Sequence, residues 1–102
     1  MDALEFVWTV PCEHPAFEGH FPGQPILPGV VLLDQVFQLA QQAVPYIAEG
    51  WELGQAKFLS TVGPGDVLHF SVQPATRGGL AFRVATAAGV DVASGTLTAL
   101  AT

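Results

Sequence analysis

The stretch EGHFPGQPILPGVVLLDQVFQ, residues 18–38, decides how the rest of this chain folds. Its first half is crowded with proline and glycine and contains His20, between Gly19 and a Phe-Pro-Gly turn. Its second half is apolar and carries a lone carboxylate, Asp34. Because proline fixes a backbone torsion and glycine permits tight turns, the composition predicts a rigid loop that holds His20 in one place. We interpret His20 and Asp34 as an acid/base pair.

The apolar half of this stretch predicts one long helix that begins at about Pro28 and is stopped by Pro45. Proline suits the first helical turn but is disfavoured in a helix interior, so the two prolines mark the ends. Apolar side chains cover most of the circumference, which indicates a helix enclosed by other structure. The polar residues form one narrow stripe: Asp34, Gln35, Gln38, Gln41 and Gln42.

Alternating hydrophobicity predicts strands on both sides of the helix. One strand is expected before it, from Leu4 to Val10. Four are expected after it: Trp51 to Leu59, Val67 to Val72, a strand marked by Leu80, Phe82 and Val84, and Val90 to Leu100. Turns are expected at residues 63–66, 77–79 and 88–89. We therefore predict a single α+β domain over residues 1–102, with an antiparallel meander folded around one central helix.

The composition excludes several classes of partner. The net charge is −6, and the basic residues are Lys57, Arg77 and Arg83, which argues against binding to nucleic acid or to anionic membranes. Half of the 102 residues are hydrophobic and 12% are charged, so we expect a second chain to cover apolar surface in a dimer. An acidic N-terminus predicts no signal peptide, and Cys12 as the lone cysteine fits a cytoplasmic protein.

Three residues of the opening stretch supply the parts of an elimination reaction. His20 titrates near neutral pH and suits a general base for a weakly acidic proton. If the polar stripe faces an apolar cavity, desolvation raises the pKa of Asp34, which can then donate a proton to a leaving hydroxyl. Gly29 at the helix start offers a free N–H to an oxygen that gains negative charge. Each residue taken alone also has a structural reading, as a loop histidine, a solvated carboxylate or a helix-start glycine.

The segment from Gly19 to Val30, GHFPGQPILPGV, resembles the signature loop of the 3-hydroxyacyl-[acyl carrier protein] dehydratases of fatty acid synthesis. The similarity continues through Leu33-Asp34 to Gln38. It can be followed onward at Ala56-Lys57-Phe58, Gly65-Asp66 and Arg77-Gly78-Gly79-Leu80. The resemblance implies the hot-dog fold, in which a sheet wraps around a central helix. It also implies a homodimer, which can assemble further, and no cofactor or metal.

The resemblance also implies a role for each matched residue. His20 of one subunit would meet Asp34 of the other. His20 would remove the α-proton, Asp34 would assist departure of the 3-hydroxyl, and the Gly29 N–H would polarise the thioester carbonyl. Gln38 matches a glutamine that lines the same site. The implied substrate-binding residues are Phe17, Phe21, Pro28 and Val30.

The implied partner is an acidic acyl carrier protein that bears a 3-hydroxyacyl chain. Leu59 and Ser60 stand where basic residues often follow the Lys57 position in this family. Carrier docking would therefore use Lys57, Arg77 or Arg83, or apolar contacts, and the steering field is weak.

Two departures from the family pattern concern the substrate. The acid is Asp34, as in the branch that also isomerises its product, whereas the HFPG segment is closer to the branch that carries glutamate and only dehydrates. The chain also starts at the first strand, without the family's leading helical segment.

Three alternatives stay open at this stage. A hot-dog hydratase acting on coenzyme A esters, or a thioesterase, would use the same fold for another reaction. A non-catalytic subunit could bind an acyl chain or complete a heterodimer. A metal site could use Cys12, His14 and His20, but their spacing matches no closed zinc pattern. We expect Cys12 to be half-buried instead, and His69 to be solvated on its strand.

Overall fold

The predicted long helix lies against the inner face of a five-stranded antiparallel sheet, in a computed structural model that describes residues 4–13, 27–43, 51–75 and 79–99. The elements in chain order are β1 (Leu4–Thr9), α1 (Gly29–Ala43), β2 (Trp51–Phe58), β3 (Val67–Pro74), β4 (Leu80–Thr86) and β5 (Asp91–Ala99). The helix packs mainly on β3 and β1. The predicted α+β class, with a sheet around one helix, is confirmed.

The core forms where the alternating faces of the strands meet the apolar stripe of the helix. On β3 the side chains of Leu68, Phe70 and Val72 are buried, and on β4 those of Leu80, Phe82 and Val84 are buried, as the alternation predicts. The helix contributes residues spaced three and four apart: Leu32, Val36, Leu39 and Ala40. Each large side chain removed from water contributes about 1.5–3 kcal/mol, so this shared interface holds helix and sheet together.

The prediction of a four-strand meander after the helix is wrong for β2. The sheet order is β1-β3-β4-β5-β2, so β2 lies at the far edge and pairs with β5 rather than with β3. Residues 59–66 carry the chain across the end of the sheet from β2 to β3. β2 and β3 lie three strand spacings apart, a distance of roughly 14 Å. The connecting residues 59–66 can span roughly 26 Å when extended, so they are long enough to make this connection. Side-chain alternation reports the faces of a strand but not its neighbours, which is why the sequence did not reveal this crossing.

Backbone hydrogen bonds fix the crossing segment in place. The Leu27 N–H donates to the Val62 carbonyl oxygen over 2.7 Å, which ties the segment to the start of α1. At its far end the Val10 N–H donates to the Asp66 carbonyl oxygen over 2.9 Å. The side chain of Val62 is buried in the core. The crossing segment is therefore part of the packed structure and not a loose surface loop.

The edge strand β2 contains a β-bulge. Leu53 pairs with Leu97, but the next recorded pair joins Ala56 to Gly95, so β2 has one residue more than β5 in this interval. Because successive side chains of a strand alternate in direction, an extra residue reverses which ones face the core. The bulge therefore turns Ala56, and with it Phe58, toward the helix side of the sheet.

The described turns and loop residues mostly match their predictions. Gly65 and Gly89 adopt left-handed backbone angles of φ 82° and φ 88°, in the turns expected at residues 63–66 and 88–89. His69 is exposed, as expected. Cys12 is also exposed rather than half-buried, because it lies in the turn that leaves β1, beyond the part of the sheet that the helix covers. In the described part of the chain, no helix has the length and apolarity needed to cross a membrane.

Candidate active site

The start of α1 presents backbone N–H groups to a site. Gly29 is its first residue, and Val31 closes the first turn by donating its N–H to the Pro28 carbonyl oxygen over 3.0 Å. The first N–H groups of a helix have no carbonyl one turn earlier within that helix, and the helix dipole adds partial positive charge there. The Gly29 N–H therefore suits an oxygen that becomes negative.

A mostly apolar cavity of about 390 Å³ lies at this helix start. Its lining residues come from the helix start, the end of β2 and the crossing segment: Leu27, Gly29, Val30, Leu32, Leu33, Phe58, Ser60, Thr61 and Val62. Two residues proposed from the sequence, Gly29 and Val30, belong to this lining, whereas Pro28 lies beside the cavity without lining it. An apolar cavity with a few polar groups at one end is the form that small-molecule sites take.

The ring of Phe58 lies against the backbone of Gly29. A Cβ atom added to Gly29 would stand 2.8 Å from the Phe58 Cε1 atom and 3.0 Å from Cζ. Real Cβ atoms do not approach other atoms that closely, so a side chain at position 29 would require the ring to move. Glycine is thus needed here for close approach, in addition to any role of its N–H.

Asp34 lies one helical turn beyond Val30 of the cavity lining and does not itself line the cavity. Val30, Asp34 and Gln38 follow at spacings of four, so their side chains share one face of α1. All three are exposed, and Val30 has 70% of its surface accessible. The Gln38 Nε2 atom donates a hydrogen bond to the Asp34 Oδ2 atom over 3.0 Å. The described residues of the single chain leave Asp34 exposed, so the apolar enclosure expected for it stays a prediction.

Gln38 also lines a second, smaller cavity further along the helix. This cavity has a volume of about 90 Å³, and its other lining residues are Phe6, Gln35, Leu39 and Gln42. Three residues of the predicted polar stripe, Gln35, Gln38 and Gln42, therefore line this second cavity.

His20, Phe17 and Phe21 lie outside the described residues, as does His14 of the metal alternative. Their roles stay predictions. Across the described ranges, no group of three or more His, Cys, Asp or Glu side chains could hold a metal ion.

Two of the three basic residues fall in the described part of the chain. Arg83 forms an ion pair with Asp91, with its Nε atom 2.6 Å from the Asp91 Oδ1 atom. Lys57 is exposed on β2, and the bulge directs it away from the helix side. Arg77 lies outside the described residues. Since Asp91 neutralises Arg83 locally, Lys57 is the better candidate for attracting an acidic partner.

Phe58 is the lining residue that sequence reasoning missed. The sequence places it within the strand predicted from Trp51 to Leu59 and in the matched segment Ala56-Lys57-Phe58, but does not assign it to the site, because its direction depends on the bulge. The available signal was Gly54, since a glycine inside a strand pattern often marks a bulge. From the sequence, Ser60 was named only because the family often has a basic residue at that position, and Thr61 was not named.

The comparison with sequence families decides the assignment. The profile of the ApeI-like family, described as ApeI dehydratase, matches residues 1–96. This chain belongs to the ApeI-like dehydratase family. The resemblance to 3-hydroxyacyl-[acyl carrier protein] dehydratases is confirmed by the same match and by individual relatives of this chain.

Several curated relatives are named 3-hydroxyacyl-[acyl-carrier-protein] dehydratase FabZ. The protein from Shewanella denitrificans is 32% identical over 82 residues, which cover 71% of this chain and 54% of the relative. The protein from Jannaschia sp. is 40% identical, over 69% of this chain and 48% of the relative. The protein from Chlamydia trachomatis is 38% identical, over 87% of this chain and 66% of the relative. The ApeI-like chain therefore spans about half the length of the first two relatives and about two thirds of the third.

Solved structures confirm the hot-dog fold. The dehydratase heterocomplex ApeI:P from Xenorhabdus doucetiae matches with a TM-score of 0.81 and 25% identity, over 95% of this chain and 86% of that one. The (R)-hydratase from A. caviae involved in PHA biosynthesis matches with a TM-score of 0.67 and 15% identity, over 97% of this chain and 95% of that one. The second match shows the fold alone, since one fold supports several reactions.

Proposed function

We propose that this ApeI-like protein removes water from 3-hydroxyacyl thioesters to give trans-2-enoyl thioesters, in fatty acid or polyketide-type (polyene) biosynthesis. The observation that carries the proposal is the arrangement at the start of α1. There Gly29, the first residue of the helix, lines an apolar cavity, and Asp34 lies one turn beyond Val30 on the same helix face. Membership of a dehydratase family supports the choice of reaction.

The chemistry needs three groups around carbons 1 to 3 of the acyl chain. His20 takes the proton from carbon 2, and the resulting negative charge moves onto the thioester oxygen, where the Gly29 N–H stabilises it. The electrons then return to form the double bond between carbons 2 and 3, and the carbon–oxygen bond at carbon 3 breaks. Asp34, in its acid form, gives its proton to the departing hydroxyl. The products are the enoyl thioester and water, and no cofactor takes part.

The active site is completed by a second chain. In the single chain Val30 and Leu59 are 70% and 55% exposed, and the face of α1 that bears Asp34 is exposed too. A second copy that covers this face would bury apolar surface and enclose the carboxyl group. In the proposed homodimer, His20 of one subunit meets Asp34 of the other. A heterologous family member is the alternative occupant, because the similar X. doucetiae dehydratase is a heterocomplex.

The acyl group is carried by an acyl carrier protein. The names of the FabZ relatives specify that carrier for those proteins. On this chain the exposed cation Lys57 would attract an acidic carrier. The net charge of −6 opposes it, so apolar contacts have to supply much of the affinity. A coenzyme A ester is the alternative form of substrate.

The test supplies 3-hydroxyacyl chains of several lengths, each as a carrier thioester and as a coenzyme A ester, and follows the enoyl product by mass. We expect turnover with the carrier-bound series. His20→Ala and Asp34→Asn should each lower kcat by at least about 100-fold, because a positioned acid or base contributes that much. Glu52→Gln, which changes an exposed carboxylate on β2, is the matched control and should retain full activity.

Either of two outcomes would contradict the proposal. An active His20→Ala variant would remove the general base from the mechanism. Turnover of coenzyme A esters with none of carrier substrates would leave the chemistry in place but replace the carrier by coenzyme A.

A further inference from the structure

We propose that Phe58 is a specificity-determining residue, whose ring fixes the thioester at Gly29 and excludes acyl chains with a methyl branch on carbon 2. The inference rests on the proposed dehydration and names the class of substrate that the same site accepts: chains unbranched next to the thioester.

The first argument is the contact between the ring and the helix start. Three consecutive ring atoms, Cδ1, Cε1 and Cζ, lie 2.8–3.2 Å from the position that a Cβ atom on Gly29 would take. One edge of the Phe58 ring therefore packs directly on the Gly29 backbone. The same ring lines the cavity of about 390 Å³.

The second argument is the exposure of the ring. Phe58 has 51% of its surface accessible in the single chain, whereas the core aromatics Phe70 and Phe82 have 1% and 3%. A phenylalanine that served only to fill the core would be buried as those two are. The uncovered part of the Phe58 ring is apolar surface at the wall of a cavity, which suits contact with a ligand.

The third argument is the distance from the ring to the reacting atoms. A thioester oxygen bound to the Gly29 N–H lies about 2.9 Å from the nitrogen, and carbon 2 is two bonds further on, within roughly 5 Å of the Gly29 backbone. Carbon atoms pack at about 3.5–4.0 Å. With one side of Gly29 occupied by the ring edge, a methyl group on carbon 2 has no space on the Phe58 side.

The fourth argument is the device that directs the ring. The bulge puts one extra residue into β2 between Leu53 and Ala56, and without it Lys57 would face the helix side in place of Phe58. Gly95 permits the bulge, because a Cβ at that position would collide with the Gln55 carbonyl oxygen and the Phe82 ring. The sequence therefore places an aromatic wall, and not a cation, beside the thioester.

The end of β2 is also held firmly, which a selective wall requires. Phe58 pairs with Ala93 of β5, and the next residue, Leu59, donates its N–H to the Val92 carbonyl oxygen over 2.8 Å. The backbone that carries the ring is therefore fixed on both sides of its attachment. A fixed wall can discriminate between substrates by size.

The experiment measures kcat/KM for two substrates on the same carrier, 3-hydroxybutyryl and 2-methyl-3-hydroxybutyryl thioesters, by the mass of the enoyl product. The variants are Phe58→Leu and Phe58→Ala, with Val90→Ala as the matched control, because Val90 is a similarly exposed apolar residue, between β4 and β5, that does not line the cavity. A pocket that excludes one methyl group discriminates by about 10- to 200-fold.

We expect the wild-type protein to prefer the unbranched substrate by at least about tenfold. Phe58→Ala should lower that preference about tenfold or more, mainly because the branched substrate gains, and Phe58→Leu should lower it by less. Val90→Ala should leave the preference unchanged. If circular dichroism shows that Phe58→Ala does not fold, Phe58→Leu serves as the test. A lower preference for the unbranched substrate in Phe58→Leu would support the role of Phe58, and an unchanged preference would overturn it.

The two levels of the proposal fail in different ways. Wild-type turnover of the unbranched substrate, with the same preference in the Phe58 variants, would overturn the role of Phe58 and leave the dehydration standing. Equal wild-type turnover of both substrates would likewise overturn the role of Phe58 and leave the dehydration standing. If the wild-type protein turns over neither of the two substrates, both the proposed function and the inference that rests on it would be overturned.

Discussion

Gln38 holds the carboxyl group of Asp34 by a hydrogen bond from its Nε2 atom to Oδ2, across 3.0 Å and one turn of the same helix. This bond occupies one of the two carboxyl oxygens, Oδ2. It also restricts rotation of a side chain that is exposed in the single chain. The geometry points to Gln38 as a positioning residue for Asp34, the proposed proton donor.

Replacing Gln38 by alanine should therefore lower kcat while leaving KM nearly unchanged. A hydrogen bond of this kind contributes about 0.5–1.5 kcal/mol, which corresponds to roughly a 2- to 10-fold loss. Gln42→Ala, on the same polar stripe, is the control and should keep the wild-type kcat and KM. A Gln38→Ala variant with the wild-type kcat would show that Gln38 does not position Asp34.

Substituting Gly29 by alanine should affect the site more than the fold. The new Cβ would stand 2.8 Å from Phe58 Cε1, but this atom lies on the outer edge of a half-exposed ring, so a small shift of the ring relieves the contact. We expect a loss of stability of about 1 kcal/mol or less, a shift in Tm of a few degrees and a large loss of activity.

The double variant Gly29→Ala/Phe58→Ala tests the cause of that loss. In the Phe58→Ala background, where the ring is absent, Gly29→Ala should cause no further loss in the free energy of unfolding. The effects of the two substitutions, measured by urea denaturation, should therefore be non-additive. Strict additivity would show that the ring and the glycine do not constrain one another.

Replacing Gly95 by alanine should destabilise the whole domain. Its Cβ would meet the Gln55 carbonyl oxygen and the buried Phe82 ring, neither of which can move easily. We expect a loss of roughly 2–4 kcal/mol, as for other overpacked or strained core positions. Gly89→Ala is the comparison, because a Cβ at position 89 would meet no other atom. This variant should lose only about 1–2 kcal/mol of stability, the cost of a left-handed backbone conformation for alanine. Equal losses in chemical denaturation would contradict the steric explanation.

Mixing the two inactive variants tests whether the site is shared between subunits. When His20→Ala and Asp34→Asn chains exchange at random, half of the dimers are hybrids, and one of the two sites in each hybrid is intact. We therefore expect recovery of about a quarter of the wild-type activity. Mass spectrometry of the intact dimers confirms that exchange has occurred. Hybrids without activity would place His20 and Asp34 in the same subunit or in no common site.

The helix and the core strands could be predicted because each depends on a local pattern. Pro28 and Pro45 set limits for α1 that lie close to its observed bounds, Gly29–Ala43. Leu68, Phe70 and Val72 alternate, and their burial follows directly from that period. Among the site residues, Gly29 and Val30 could be found because they belong to the same helix start.

The position of β2 and the direction of Phe58 could not be predicted, because both depend on pairing between distant segments. Alternation along Trp51–Phe58 is interrupted by the bulge, so a regular strand pattern gives the wrong face beyond Leu53. Which strand lies beside β2 is decided by its contacts with β5, and these are not encoded in the local pattern. The role of His20 came from its loop and from family resemblance, and it stays a prediction.

The hydrogen bond between Leu27 and Val62 couples the cavity to the order in which the chain can fold. The crossing segment links strands at opposite sides of the sheet and also supplies the cavity floor through Ser60 and Thr61. Contacts between segments far apart in the sequence, such as this one, form late in folding, because the entropy of closing the intervening loop is lost before any stabilising contact is made. An incompletely folded or nascent chain therefore has no partly assembled pocket that could capture acyl groups, and ligand affinity should report on the fully native population alone.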